Sequence, residues 1–437
     1  MRRATARIAQ EDFGSAVQDL VAALNFESSN KECARKLDSI IEHTAIAFEP
    51  ENEETTPAPH QQWRQAWTKA AIVRSVRAGW VSREVKGNPS PGALNGHALF
   101  QALDNSVYLF GGRSVRDQKA QLFVMDDQYG SWGVASVQGT APRSRAWHTV
   151  SHFDDRDSIY CVYGGVSSHG EDPSVYLLGG DVVEPGSSMM QTLKWRWIEP
   201  SYEDTSEKPL ARSGHAAVSV PSSLNDNHAT ILVFGGRTKR GVCNDLNALS
   251  MSAQDDHYTV AWKSFATESC QHPTPRDGHS MCFFQSSSGQ RPCLIVFGGN
   301  GQQSSDKLGD TWVFDLIDRK WTELDCDGDV PSPRSYHSAH MIGPYMLIIG
   351  GRTVDTEDSN VFVLDIATRH WFRVPVPQEH ALSPRAWHAS VLTAAGTIFL
   401  LGGGTFHGPL RDSASLDVSY LQQSLRARPD QPAHTTT

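Results

Sequence analysis

The sequence predicts an all-β protein assembled from six copies of one four-stranded unit. Three observations carry this. Apolar β-type runs ending in Gly-Gly recur six times, at Gly111, Gly164, Gly235, Gly298, Gly350 and Gly402. A His precedes each pair by 13 to 20 residues, at His97, His148, His215, His279, His337 and His388. A Trp follows five of the pairs, at Trp132, Trp197 (or Trp195), Trp262, Trp321 and Trp371. Between these markers lie runs of about four to eight β-branched and aromatic residues bounded by turn-rich segments, the pattern of short strands. The 437 residues exceed one ordinary domain, but copy number sets the length of a repeat array.

The unit is plainest from Pro275 to Trp321. Pro-Arg-Asp-Gly-His leads into an apolar run ending Cys293-Leu-Ile-Val-Phe-Gly-Gly. A polar loop, Asp310-Thr-Trp-Val-Phe-Asp315 and Lys320-Trp321 follow. The last copy runs from Arg385 to Val418 and stops before its Trp-bearing strand. Trp80 stands 17 residues before His97, the same phase as Trp262 before His279 and Trp371 before His388. Open ends would leave strand edges and apolar faces exposed. The strand Trp80–Val85 therefore completes the last unit and closes the array into a ring. These residues resemble the kelch repeat, a blade of about 50 residues, over residues 80 to 419. The resemblance implies a six-bladed kelch β-propeller.

The recurring Gly-Gly and Trp have structural readings. Gly-Gly permits a tight backbone turn with φ > 0, and the Trp supplies an apolar plate between sheets. One His per blade at equal phase also reads as a fold signature. Arg145, Arg212, Arg276, Arg334 and Arg385 stand three residues before their His, where the first copy has Leu94. Immediately after the Gly-Gly pairs come Arg113, Val166, Arg237, Asn300, Arg352 and Gly404, and immediately before the His come Gly96, Trp147, Gly214, Gly278, Tyr336 and Trp387. In peptide-binding kelch domains, the positions ahead of the His and after Gly-Gly approach the ligand-binding end of the ring. The resemblance thus implies a partner-binding end carrying the eight Arg and Asn300, with Trp147, Tyr336 and Trp387 as aromatic contacts. The other reading of the pre-His Arg is that they brace neighbouring loops.

Residues 1–48 differ in kind. Phe13, Val17, Leu20, Val21 and Leu24, then Leu37, Ile40, Ile41 and Thr44, recur at helical spacing around Ser28-Ser-Asn30, a loop and cap signal. Asp12-Phe13, Ala16, Leu20, Leu24, Asn30 and Ala34-Arg-Lys-Leu37 resemble part of a tetratricopeptide repeat without its loop Pro. A plain amphipathic hairpin fits the same spacing. Residues 49–79 read as an acidic, Pro-rich linker to Pro59 and a short helix from Gln61 to Arg77. Residues 420–437 read as a disordered tail. Gly179-Gly180 reads as the end of a third strand, with residues 181–193 an inserted loop.

A net charge of −10 argues against nucleic acid as a partner. No run reaches the roughly 18 apolar residues of a membrane helix, and no apolar segment follows the basic start. Seven cysteines without a Cys-x-x-Cys pattern read as reduced thiols, and a cytoplasmic (or nuclear) protein is expected. A metal site from Cys270, Cys282 and His272 is the weaker alternative. No cofactor or metal is expected. Two function classes compete. The first is a non-catalytic interaction module or scaffold binding an acidic or phosphorylated protein, with the N-terminal helices as a second surface. The second is a kelch-type enzyme or the accessory domain of one, for which the chain shows neither a His-rich copper-ligand loop nor a Gly-rich nucleotide-binding unit.

Overall fold

The computed structural model describes residues 1–10, 12–24, 30–44, 58–76, 79–87, 89–114, 120–126, 131–154, 157–183, 192–204, 207–224, 229–254, 257–265, 267, 271–285, 291–376 and 378–426. Six sheets of four to six strands form a six-bladed β-propeller. Each blade is an antiparallel meander. Blade 4, for example, runs through Ser280–Phe284, Cys293–Asn300, Lys307–Asp315 and Lys320–Glu323. The innermost strands of successive blades touch, and that of blade 6 touches that of blade 1, so the circle is complete. Blade 6 takes three strands from Ala389–Leu392, Thr397–Leu401 and Ser413–Asp417. Its fourth is Val81–Arg83, which pairs antiparallel with Ser413–Ser415.

The core lies between blades. Each outer-strand Trp packs on the residue that precedes Gly-Gly in the blade before it. Ring centroids are 5.1 Å apart for Phe110–Trp197, 4.8 Å for Tyr163–Trp262, 5.0 Å for Phe234–Trp321 and 5.2 Å for Phe297–Trp371. Trp80 occupies the same place beside Ile349, in one apolar cluster with it. Trp197 is therefore the repeat residue in blade 2. Trp195 pairs with Gly180, and its ring lies 2.9 Å from where a Cβ on Gly180 would be. Gly179-Gly180 does not end the strand, which is a correction. The strand runs Val175–Val183 and its partner begins at Thr192. Of the expected insertion, residues 181–183 and 192–193 are therefore strand, and 184–191 lie outside the described residues.

Among the described residues four helices precede the propeller, the first three being α1 (Arg2–Ala9), α2 (Phe13–Leu24) and α3 (Lys31–Thr44). Asn30 caps α3 by accepting from the N–H groups of Glu32 and Cys33 at 3.0 and 3.1 Å. Helix α4 (Ala58–Val76) is longer than the sequence suggests and shares one apolar cluster with α1–α3 and blades 5 and 6. The expected linker at 49–57 lies outside the described residues. The expected disorder from residue 420 is corrected at its start, because Ser419–Arg426 forms α5, with Leu421 buried. Asp38 of α3 joins Arg74 of α4 at 2.8 Å and accepts from the Tyr420 hydroxyl at 3.2 Å, so three helices meet at one carboxylate. The described cysteines are free thiols; Cys270 lies outside the described residues. Among the described residues no helix is long and apolar enough to cross a membrane, and no His, Cys, Asp and Glu cluster could hold a metal ion.

Candidate functional site

In every blade the residue two before the His lies beside the residue after Gly-Gly. The pairs are Asn95 with Arg113, Ala146 with Val166, Ser213 with Arg237, Asp277 with Asn300, Ser335 with Arg352 and Ala386 with Gly404. Both sets therefore ring the same end of the propeller. Between them sit the six residues immediately before the His. All take the left-handed conformation: Gly96 at φ 64°, Trp147 at 59°, Gly214 and Gly278 at 62°, Tyr336 at 53° and Trp387 at 58°. Their backbones hydrogen-bond from blade to blade around the axis. Gly214 donates to Trp147, Gly278 to Gly214, Tyr336 to Gly278, Trp387 to Tyr336 and Gly96 to Trp387, at 2.7 to 3.0 Å. These six residues and the six His line a central cavity of about 190 Å³.

The five pre-His Arg do not join this lining, which corrects the expectation that all eight Arg present themselves there. Arg145, Arg212, Arg276, Arg334 and Arg385 are at most 1 % exposed. Each guanidinium donates to the carbonyl of the first Gly in its own blade (Gly164, Gly235, Gly298, Gly350 and Gly402) at 2.8 to 3.1 Å. Each also meets a carboxylate in or just before the third strand, respectively Asp172, Asp245, Asp310, Asp358 and Asp412, at 2.6 to 3.1 Å. The carbonyl of each Arg accepts from the second Gly of the preceding blade, as Arg276 does from Gly236 at 2.8 Å. Each Arg thus ties two strands of its own blade together and joins that blade to the one before. In blade 1 the Leu94 carbonyl accepts from Gly403 at 2.8 Å without a guanidinium.

Of the residues after Gly-Gly, Arg113, Arg237 and Arg352 reach the surface, whereas Asn300 is buried, which corrects its expected place among the partner contacts. Arg113 is exposed. Arg237 donates to Asp277 at 2.7 Å, while its Nη2 is buried with no partner among the described residues. Asp277 also accepts from Asn300 at 2.8 Å, and Lys307 donates to Asn300 and to Ser335. Burial and then Arg352 push the Lys307 ammonium below its usual range. Arg352 is ion-paired with Glu357 and lies 5.9 Å from the rings of both Trp387 and Phe406. Three cations, Arg237, Lys307 and Arg352, thus meet two carboxylates, Asp277 and Glu357. Sequence reasoning missed Asp277, Lys307 and Glu357, together with Phe406 and Val354, which are 81 and 62 % exposed on adjacent rim loops. Asp277 stands in the repeat phase but is the one charged residue at its position, Lys307 and Glu357 become legible only through their pairing with Asn300 and Arg352, and Val354 and Phe406 lie outside the repeat phase.

The six His are buried and neutral. Burial pushes His97 down to about 4 and, with nearby Arg helping, His148 and His337 to about 3; His215 is also lowered to about 3. His279 and His388 fall well below the usual imidazole range for the same reason. Each ring packs against the Gly-Gly turn of the preceding blade, as His148 does against Gly111. They hold blades together and add no charge to the cavity.

Comparison with known proteins agrees with this architecture. The sequence profile of the KLHDC2/KLHL20/DRC7 Kelch-repeats domain matches residues 172–403. The chain is 26 % identical over 408 residues to Acyl-CoA-binding domain-containing protein 4 of Arabidopsis thaliana, covering 85 % of this chain and 55 % of that protein. It is 25 % identical over 374 residues to Host cell factor 2 of Homo sapiens, covering 78 and 44 %. It is 27 % identical over 270 residues to Kelch domain-containing protein 1 of Mus musculus, covering 55 and 59 %. The chain spans about half the length of these relatives.

Proposed function

The chain belongs to the KLHDC2/KLHL20/DRC7 kelch-repeat domain family, and from that premise we propose that it is a non-catalytic interaction module whose His-bearing end holds an acidic or phosphorylated protein segment. One observation carries the reading: Arg237, Lys307 and Arg352 cluster beside Tyr336 and Trp387, which line a cavity whose floor is uncharged. Arg237 keeps a guanidinium N–H buried without an acceptor, a donor that a carboxylate or phosphate oxygen satisfies. Guanidinium groups take such anions bidentately. The overall −10 charge does not oppose this, since surface charge is screened beyond roughly 8 Å at physiological salt. A desolvated contact of this kind is worth about 2 kcal/mol, a rim contact under about 1. The His have structural tasks in place of catalytic ones, and the scaffold reading follows from that division of labour.

The test is selection of peptides from a random library, with phosphorylated members, on the intact protein. Enriched peptides are expected to be acidic and to bind more weakly as salt rises. The double variant Arg237→Gln and Arg352→Gln, which keeps amide donors for Asp277 and Glu357, should bind them at least tenfold more weakly while still unfolding cooperatively, at a melting temperature lowered by the loss of the Arg237–Asp277 charge pair. Enrichment without acidic bias, or equal binding by the double variant, sinks the reading.

A further inference from the structure

We propose that the cavity floor is a socket for one uncharged apolar side chain of the partner, aromatic or branched aliphatic, set beside the acidic group that the rim holds. This rests on the reading that the same end binds an acidic segment.

The argument starts from the six left-handed residues around the axis. Gly96, Gly214 and Gly278 show that the position needs no side chain: each adopts the φ and makes the blade-to-blade hydrogen bond. A Cβ in this conformation is strained, yet Trp147, Tyr336 and Trp387 carry the largest side chains at the three remaining positions. Strain kept where glycine would serve marks a function. Trp147 spreads over Gly96, its Nε1 lying 2.9 Å from where a Cβ there would be, and the Tyr336 ring covers Gly278 in the same way. Glycine at the covered positions thus makes room for the aromatic plates. All three aromatic residues remain partly exposed, into the cavity they line.

The chemistry of the floor selects the occupant. The imidazoles below are neutral, and the nearest guanidinium groups of the inner strands are spent on their Asp partners. An ion entering the floor would lose its water and find no counter-charge. An uncharged ring brings no ionic desolvation cost and gains contact with Trp147, Tyr336 and Trp387, although it also covers polar parts of the lining. The volume of about 190 Å³ admits one ring; an engineered apolar cavity of ~150 Å³ in another protein binds benzene. Tyr336 and Trp387 pack at 5.6 Å, and Arg352 continues the stack from Trp387 to Phe406. A side chain on the floor therefore places a neighbouring carboxylate beside Arg352.

The intact protein is titrated with N-acetylphenylalaninamide, N-acetylphenylalanine, acetate and inorganic phosphate, with binding followed by ligand-observed NMR. The amide is expected to bind in the millimolar range, the acid more tightly, and acetate least. Trp147→Gly and Trp387→Gly relieve strain, so each variant should melt within a few degrees of the parent while binding the amide at least tenfold more weakly. If a glycine variant fails to fold, asparagine, which tolerates the left-handed region, takes its place. Phosphate binding without amide binding, or variants that bind the amide as the parent does, overturns the socket and leaves the acidic reading standing. Equal, salt-independent binding of amide and acid leaves the socket standing and removes the acidic reading.

Discussion

At the scale of single residues, the same side-chain type does two different jobs at one end of the ring. Arg276 is 0 % exposed and bidentate to Asp310, while Arg113 is exposed on the rim. Removing one partner of a buried pair costs about 3–5 kcal/mol. Asp310 is 22 % exposed, so water recovers part of this and about 3 kcal/mol is expected for Arg276→Ala. Arg113→Ala should stay within about 0.5 kcal/mol. Chemical denaturation of both variants checks the contrast, and equal midpoints would mean Arg276 is no brace. Glycine is equally tied to place: a Cβ on Gly111 would stand 2.4 Å from the His148 ring.

At the scale of elements, the closing strand and α4 are inseparable from blade 6. Trp80 is 2 % exposed and its backbone N–H donates to the His380 carbonyl at 3.0 Å. Thr68 of α4 hydrogen-bonds the Tyr345 hydroxyl of blade 5 at 3.0 Å in a buried contact. Deleting residues 1–85 removes a buried Trp, worth about 3–5 kcal/mol alone, and the helix beside it. The shortened chain should aggregate or melt far lower; a chain starting at Asn88 that melts like the parent would contradict the closure. Deleting residues 1–57 strips α1–α3 from α4 and should lower the melting temperature less. The strands were legible because His, Gly-Gly and Trp repeat in phase. The Arg braces were misread because their partners lie on another strand. A signal existed. An Asp recurs four or six residues before the third-strand residue that pairs with the Trp, as Asp310 does before Phe314 and Asp358 before Leu364. Blade 1, which lacks the Arg, has Gln121 and Lys119 at those offsets from Met125. Helix α5 went unseen because eight residues are too few to show a period and its stability is tertiary.

At the scale of the whole molecule, the repeated His makes stability depend on pH. His340, like His97, is lowered to about 4, and the other blade His lie at about 3 or are well depressed. The unfolded chain takes up protons below about pH 6.5, whereas the folded chain does not until about pH 4 or lower. Stability is therefore level above pH 6.5, falls with pH down to the folded values, and flattens below them. Between those limits each buried imidazole takes stability away as the pH falls, on the order of 1 kcal/mol per pH unit, and several act in the same direction. Melting curves from pH 7.5 to 5 should show a steep drop, and an unchanged midpoint would mean these rings are not held neutral. The seam has a temporal side as well. Arg83 meets Ser415, 332 residues further along the chain. At a synthesis rate of about 5–20 residues per second, the strand carrying Trp80 waits roughly 20–60 s for its neighbour to be made. Blades 1 to 5 are made one after another during that interval, and the indole destined for the last gap has no complete slot until it ends.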